Sequence, residues 1–168
     1  MIRCNDGDKE FLLYSPDEGR DMLRNQIIES ENSRFVYPKN RKSKIYKSLW
    51  RTKNIVKQLL DDKVQIYHGL SGELPLGLHN SKIKGIVTIH DLIFLRHPEY
   101  YHWIDRKIYT WKFHQTLKQA DHIIAISECT KRDILEFGNF DAEKISVIYQ
   151  SCNPRFADLP SQQDIDDT

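Results

Sequence analysis

Three short apolar segments of the sequence end in polar side chains that could do chemistry. These segments are Val64–Gly69, Gly85–Asp91 and His122–Ser127. The second ends in two adjacent ionisable residues, His90 and Asp91, and the third ends in Ser127. Because parallel strands bring their carboxyl ends to one edge of a sheet, where ligands bind, we expect these side chains to share that edge.

The residue types alone leave two interpretations of each side chain open. Asp91 could orient the His90 ring, as a carboxylate fixes an imidazole tautomer, or it could bind local amides in a turn. His90 could face a ligand or be satisfied by backbone groups at the edge of the core. Ser127 suits the N-cap of a following helix, and the N-terminus of that helix also favours an anion.

The elements that must position these residues alternate between strands and helices. Strands are predicted at Phe11–Ser15, Arg34–Tyr37, Val64–Gly69, Gly85–His90, His122–Ile126 and Ile145–Tyr149. Helices are predicted over three segments: Pro16 to about Glu29, Ile104–Gln119 and Glu128–Phe137. A further long helix is predicted after Ser43, which caps it, and its buried residues are Ile45, Leu49, Val56 and Leu60. This order predicts an α/β fold, a Rossmann-like, doubly wound parallel sheet whose strands are buried on both faces.

Composition narrows the class of protein. The 168 residues suit one domain, and neither GxGxxG nor GxxxxGK[ST] occurs, which disfavours a self-sufficient dinucleotide or nucleoside-triphosphate enzyme. The histidines lack helical ligand spacing and the three cysteines are widely separated, so we expect no metal. No long apolar run or secretion signal is evident, which favours a cytoplasmic protein, with peripheral attachment to the inner face of the membrane left open.

Several sequence segments together resemble a known enzyme family. They are Ile86–Leu92 followed by His97-Pro98, then Ala120–Ile134, then Ile145–Asn153. In this order and spacing they resemble the N-terminal half of family 4 retaining glycosyltransferases, and the similarity covers about Phe11 to Phe156.

The resemblance implies an enzyme of GT-B fold, in which a C-terminal Rossmann-like half binds the nucleotide-sugar and the N-terminal half binds the acceptor. The sequence lacks the paired glutamates of the donor half and the opening glycine loop. We therefore expect residues 1–156 to be the acceptor-side domain without its first strand and helix. Residues 157–168 are expected to be an acidic tail or linker, and the donor domain to be absent.

The activity that the resemblance implies is transfer of a hexosyl group, such as mannose or glucose, to a glycan or lipid-linked acceptor in cell-envelope polysaccharide synthesis. The nucleotide-sugar is a co-substrate, and no cofactor is expected. We expect the fragment to be inactive alone, because half a cleft loses the proximity of donor and acceptor.

The resemblance implies the role of one site residue, and the residue types at the predicted strand ends suggest the others. A histidine at position 90 is expected to hydrogen-bond the transferring sugar as the catalytic residue. The acceptor-binding candidates are His68, Gly69, Ser71, Gly72, Glu73, Asp91 and Ser127. Glu73 could bind a sugar hydroxyl or be a solvated loop carboxylate, and the aromatic residues Tyr100, Tyr101 and Trp103 could stack on an acceptor or form a buried lid.

A basic segment has three interpretations. Nine basic residues and no acidic one lie between Arg34 and Lys57. Lys44, Lys47 and Arg51, with an exposed Trp50 or Tyr46, could contact an anionic membrane. A solvated helix face is an equal alternative, whereas the near-neutral total charge argues against nucleic acid.

Two other functional classes stay open at this point. The chain could be a non-catalytic α/β module that binds a sugar or nucleotide. A hydrolase using His90 and Asp91 is less favoured, because a metal-dependent pair needs further ligands that are not evident.

Overall fold

The computed structural model describes residues 9–19, 32–38 and 44–151. Its strands are β1 (Phe11–Tyr14), β2 (Ser33–Val36), β3 (Ile66–Gly69), β4 (Lys84–Ile89), β5 (His122–Ala125) and β6 (Ile145–Val147). Helix α1 is continuous through Lys44–Leu49, the π-helical Trp50–Asn54 and Ile55–Asp61. The later helices are α2 (Ile93–Arg96), α3 (Trp103–Gln119) and α4 (Glu128–Gly138).

Some predicted elements fall outside the described ranges. They are most of the helix from Pro16 to Glu29, the Ser43 cap and the acidic tail 157–168. The described start of that first helix differs from the prediction, because residues 16 and 17 form a bend and the backbone N–H of Gly19 donates to Asp17 Oδ1. The aspartate side chain thus satisfies the turn locally, as aspartates do in turns.

All strand pairs of the described chain are parallel. β1 pairs with β2, and a second sheet has the order β3-β4-β5-β6. In that sheet His68 lies opposite Ile86, Ile89 opposite Ala125, and Ala125 opposite Val147. The parallel α/β class predicted from the sequence is confirmed, and the fold is Rossmann-like.

The two faces of the larger sheet differ in burial. One face carries the buried core residues Val87, Ile89, Ile123, Ala125 and Ile145. The other is half-buried and carries polar pairs beside Ile86 and Ile124: His68 Nε2 lies 2.8 Å from Thr88 Oγ1, and His122 Nε2 lies 2.9 Å from Ser146 Oγ. The apolar strands predicted a sheet that is fully buried on both faces. In the structure one face of this sheet is fully buried and the other is half-buried.

Helix α1 buries a different stripe from the one predicted. Trp50, Ile55 and Leu59 are buried, whereas Leu49 and Leu60 are exposed. The π-helical segment Trp50–Asn54 has more residues per turn than an α-helix, so the residues after it are rotated about the axis. The spacing rule assumed a regular α-helix, so the predicted position of Leu60, which follows the π-helical segment, was wrong for that reason. Leu49, which precedes the segment, was also wrongly predicted as buried.

Trp50 also departs from its predicted exposure. Its ring is buried in the core, and its indole N–H donates to Gln58 Oε1 at 2.9 Å. A tryptophan held in this way cannot anchor the protein to a membrane, so one part of the prediction for the basic segment was wrong.

Candidate functional site

A cavity of about 300 Å³ lies at the carboxyl end of β4. We call it the rim cavity. Its lining residues come from the loop after β3, the end of β4, and helices α2 and α3: Ser71, Gly72, Glu73, Ile89, His90, Asp91, Leu92, Phe94, Tyr109, Lys112 and Phe113. The site therefore occupies the edge of a parallel sheet at which ligands bind in α/β folds.

His90 is exposed on this rim, immediately after β4. Its Nε2 lies 2.9 Å from the backbone oxygen of Leu70, and its Nδ1 lies 3.4 Å from Nε2 of Gln150. Because a carbonyl only accepts, Nε2 carries the proton in the neutral ring and Nδ1 is the acceptor. Because the contact at Nδ1 is long, Nδ1 is the ring nitrogen that can most easily accept a hydrogen bond from a ligand hydroxyl.

Ser127 and His90 lie on the same edge of the sheet. Ser127 caps α4, and its Oγ accepts from the backbone N–H of Thr130 at 3.1 Å. The Thr130 hydroxyl donates to the backbone oxygen of His90 at 3.0 Å. Because the Thr130 hydroxyl proton is donated to the backbone oxygen of His90, the Ser127 hydroxyl is the donor in its bond to Thr130 Oγ1. Ser127 is thus engaged in capping and does not line the rim cavity.

Asp91 lines the rim cavity and also holds a local turn. Its Oδ1 accepts from the backbone N–H of Ile93 at 3.2 Å. No bond between Asp91 and the His90 ring occurs among the described contacts, in which Leu70 and Gln150 take both ring nitrogens.

The loop after β3 is fixed by a close backbone approach. A Cβ on Gly69 would lie 2.2 Å from the backbone oxygen of Glu73, so only glycine fits there. Gly72 has φ of +72°, and its N–H donates to the backbone oxygen of Thr88 at 3.0 Å. Ser71, Gly72 and Glu73 line the rim cavity, whereas Gly69 acts through the shape of the loop.

Glu73 is held between cations from two helices. Lys112 Nζ lies 2.8 Å from its Oε1, and Arg51 lies 3.6 Å from its Oε2. All three side chains are about half-exposed, so the ion pairs are screened by water. Their effect is to orient a carboxylate at the mouth of the cavity, where it can accept hydrogen bonds.

His68 lies away from the rim cavity. It sits on the half-buried polar face of the sheet and bonds Thr88. Burial lowers the pKa of His68, which favours the neutral ring. His68 is one of the predicted acceptor-binding residues, but in the structure it does not line the rim cavity and bonds Thr88 instead.

Two of the three basic residues that were predicted to contact a membrane form ion pairs within the protein. Lys47 pairs with Asp17 at 3.1 Å, and Arg51 pairs with Glu73. The side chain of Lys44 lies outside the described part of the structure.

Several cavity residues were missed from the sequence. Tyr109 and Phe113 follow helical spacing, which predicts a buried helix face, and neither Lys112 nor Phe94 stands at a predicted strand end. In the structure Tyr109 lies exposed on the cavity wall, with ring centroids 5.7 Å from Phe94 and 6.1 Å from Tyr101. Tyr101 thus supports the wall of the site, while Tyr100 and Trp103 stay exposed outside it.

Neither a membrane-spanning helix nor a metal-binding cluster is found in the described ranges. No helix there is long and apolar enough to cross a bilayer. In the same ranges, no three His, Cys, Asp or Glu side chains come together as metal ligands would.

The sequence comparison decides the family. Residues 8–156 match the family model described as Glycosyltransferase Family 4. The chain belongs to glycosyltransferase family 4.

Two curated relatives of this family 4 chain are O-antigen mannosyltransferases. The chain is 29% identical over 132 residues to O-antigen chain mannosyltransferase B of Escherichia coli, which covers 78% of the chain and 30% of that relative. It is 31% identical over 67 residues to O-antigen chain mannosyltransferase RfbU of Salmonella typhimurium, covering 40% of the chain and 18% of that relative. The chain therefore spans less than a third of either relative.

Proposed function

We propose that this family 4 chain is the acceptor-side half of a retaining hexosyltransferase of GT-B fold. The reaction would move a hexosyl group, mannose by analogy with the relatives' names, from a nucleotide-sugar to a glycan or lipid-linked acceptor in polysaccharide synthesis. The observation that carries the proposal is the exposed His90 ring beside a cavity at the carboxyl ends of the parallel strands.

The cavity supplies hydrogen-bond acceptors suited to a sugar. His90, Glu73 and Asp91 line the same cavity, and each can accept a hydrogen bond from a hydroxyl. Tyr109 adds an aromatic wall on which the apolar face of a sugar can pack. These groups bind and orient an acceptor, with Lys112 and Arg51 fixing the direction of the Glu73 carboxylate.

The donor is assigned to a second lobe that this chain would face. Holding two reactants in contact is worth several kcal/mol of the barrier, so the chain alone is expected to be inactive. The nucleotide-sugar is proposed as a co-substrate, with no metal ion and no cofactor.

Calorimetric titration of the chain tests whether it binds the acceptor and leaves the nucleotide-sugar to a second lobe. Mannose-terminated oligosaccharides should bind weakly, and His90→Ala and Glu73→Gln should each weaken binding about fivefold, the loss of roughly one hydrogen bond. His114→Ala, which removes an exposed imidazole elsewhere on α3, is the matched control and should leave binding unchanged. Guanosine and uridine diphosphate sugars should give no appreciable heat. Tight nucleotide-sugar binding would contradict the proposal.

A non-catalytic sugar- or nucleotide-binding module is the second candidate. It would use the same cavity, because His90, Glu73 and Asp91 line it and each can accept a hydrogen bond from a ligand hydroxyl. Nucleotide-sugar affinity in the same titration, without turnover, would favour it.

The cellular location is also a proposal. We propose that the protein works on the cytoplasmic side of a membrane, in peripheral contact with anionic lipid, and does not bind nucleic acid. The basic residues Lys44, Lys47 and Arg51 of α1 support this contact by charge, although two of them are paired within the protein.

A further inference from the structure

Helix α3 has two apolar faces, and one of them points to solvent. Phe113 and Leu117 are buried on the inner face. On the outer side, Trp103, Ile104, Ile108 and Trp111 are 58%, 45%, 46% and 53% exposed. We call these four residues the outer stripe.

Three residues of the outer stripe share one side of the helix. At about 100° per residue, Ile104, Ile108 and Trp111 fall within about 60° of one another, opposite Phe113, and Trp103 lies on their flank, about 80° from Trp111. Large apolar side chains scattered singly on a surface are ordinary, but a neighbouring set over about two turns indicates an interaction surface.

The charges around the outer stripe are mostly positive. Helix α3 contains four basic residues, Arg106, Lys107, Lys112 and Lys118, and one acidic residue, Asp105. Lys107 Nζ lies 5.0 Å from the centre of the Trp103 ring, and Lys107 and Lys118 are both exposed. Tryptophan and isoleucine bordered by lysine are typical of a helix that lies in the interface of a bilayer.

The neighbouring helix extends this positive border. Glu73 contacts both Arg51 of α1 and Lys112 of α3, so a cation of α1 lies near Lys112. An anionic surface that meets α3 beside Lys112 would therefore also lie near Arg51.

We propose that the outer stripe of α3 is the surface by which this protein docks on an anionic lipid membrane. The proposal deepens the peripheral contact suggested above, and it moves the apolar anchor from α1, where Trp50 is buried, to α3. Ile108 and Lys112 are one helical turn apart, so docking would hold the rim cavity beside the membrane surface, within reach of a lipid-linked acceptor.

Vesicle flotation of the chain with a matched pair of variants tests the surface. Ile104→Ser/Ile108→Ser removes two isoleucines from α3, and Leu49→Ser/Leu60→Ser removes two leucines, 55% and 50% exposed, from α1. On vesicles containing 30% phosphatidylglycerol, the α3 variant should bind about tenfold or more weakly, and the α1 variant within about twofold of the parent chain. Thermal unfolding followed by circular dichroism is the control that checks whether both variants are folded.

Quenching by brominated lipid gives a second readout with the parent chain. Trp103 and Trp111 fluorescence should be quenched on anionic vesicles. In Trp103→Phe/Trp111→Phe the remaining tryptophan, Trp50, should stay unquenched because it is buried in the protein. These substitutions keep aromatic side chains in the stripe, so this variant should still float with vesicles.

Three outcomes would overturn the proposal. A larger loss of binding in the α1 variant would make α1 the docking surface. Absence of binding by the parent chain would remove the membrane contact altogether while leaving the sugar-binding proposal untouched. A dimer in lipid-free solution that the α3 variant dissociates would assign the outer stripe to a second copy of the chain.

Discussion

The Thr130 hydroxyl donates a hydrogen bond to the backbone oxygen of His90 across 3.0 Å. Thr130 is buried in the first turn of α4, and His90 is the first residue beyond β4. The bond therefore connects the N-terminus of α4 to the end of β4, at the residue that carries the candidate catalytic ring. It gives Thr130 a positioning role that its sequence context did not indicate.

Thr130→Val should destabilise the chain. Valine keeps the shape of threonine but cannot donate, so the His90 carbonyl and the Ser127 hydroxyl lose a buried partner, at a cost of about 1–2 kcal/mol. Urea unfolding followed by circular dichroism measures the change. Thr110→Val is the control, because the Thr110 hydroxyl bonds only the Arg106 carbonyl on an exposed part of α3. Equal losses in the two variants would contradict the assigned role.

Gly69→Ala should be more destabilising than an ordinary glycine substitution. The added Cβ would meet the Glu73 backbone oxygen, so the loop that lines the rim cavity must shift, at a cost of about 2–3 kcal/mol. Gly77→Ala provides the comparison, because its Cβ meets no atom within 4 Å and only the φ of +88° opposes it. That variant should lose about 1 kcal/mol. A Gly69→Ala protein as stable as Gly77→Ala would show that the loop is not fixed by this contact.

The Glu73–Lys112 pair should contribute weakly to stability and be sensitive to salt. A double-mutant cycle with Glu73→Gln and Lys112→Met should give a coupling of about 0.5 kcal/mol at low salt, falling towards zero at 1 M salt. Its reference is the cycle for Glu10→Gln and Arg34→Met, whose partners are each 59% exposed and lie 3.2 Å apart. The reference coupling should be smaller. A coupling that persists at high salt would require a more buried pair than the structure shows.

His68 should make stability depend on pH. Burial lowers its folded-state pKa below the value of about 6.5 expected in the unfolded chain, so the unfolded state binds the proton first as pH falls. The contribution of His68 to stability is therefore complete above about pH 6.5 and is lost as pH drops through 6.5 towards the folded-state value.

His68→Gln isolates this effect, because glutamine can still bond Thr88 but does not titrate. The free energy of unfolding of the parent chain minus that of the variant should decrease between pH 7.5 and pH 5, measured by urea denaturation. An NMR titration of the ring would give the folded-state pKa directly. A difference that stays constant over this range would contradict the prediction.

Much of the fold followed from local sequence patterns. The strands of the larger sheet, α3 and α4 lie within about two residues of their predicted bounds, and Ser127 caps α4 as predicted. These features depend on neighbours within one or two turns, so residue order suffices to predict them. The buried stripe of α1 did not follow, because the π-helical turn that rotates it is a tertiary adjustment that no repeat in the sequence records.

The candidate site divides in the same way. By itself, the sequence determined that His90, Asp91 and the loop to Glu73 stand at strand ends, because strand ends are set by local composition. Only the tertiary structure decided that His68 bonds Thr88 outside the rim cavity, that Lys112 and Arg51 meet on Glu73, and that Tyr109 forms part of the cavity wall. Those relationships join residues about 20 to 40 positions apart, and their distances depend on strand register and helix packing, which no single segment specifies.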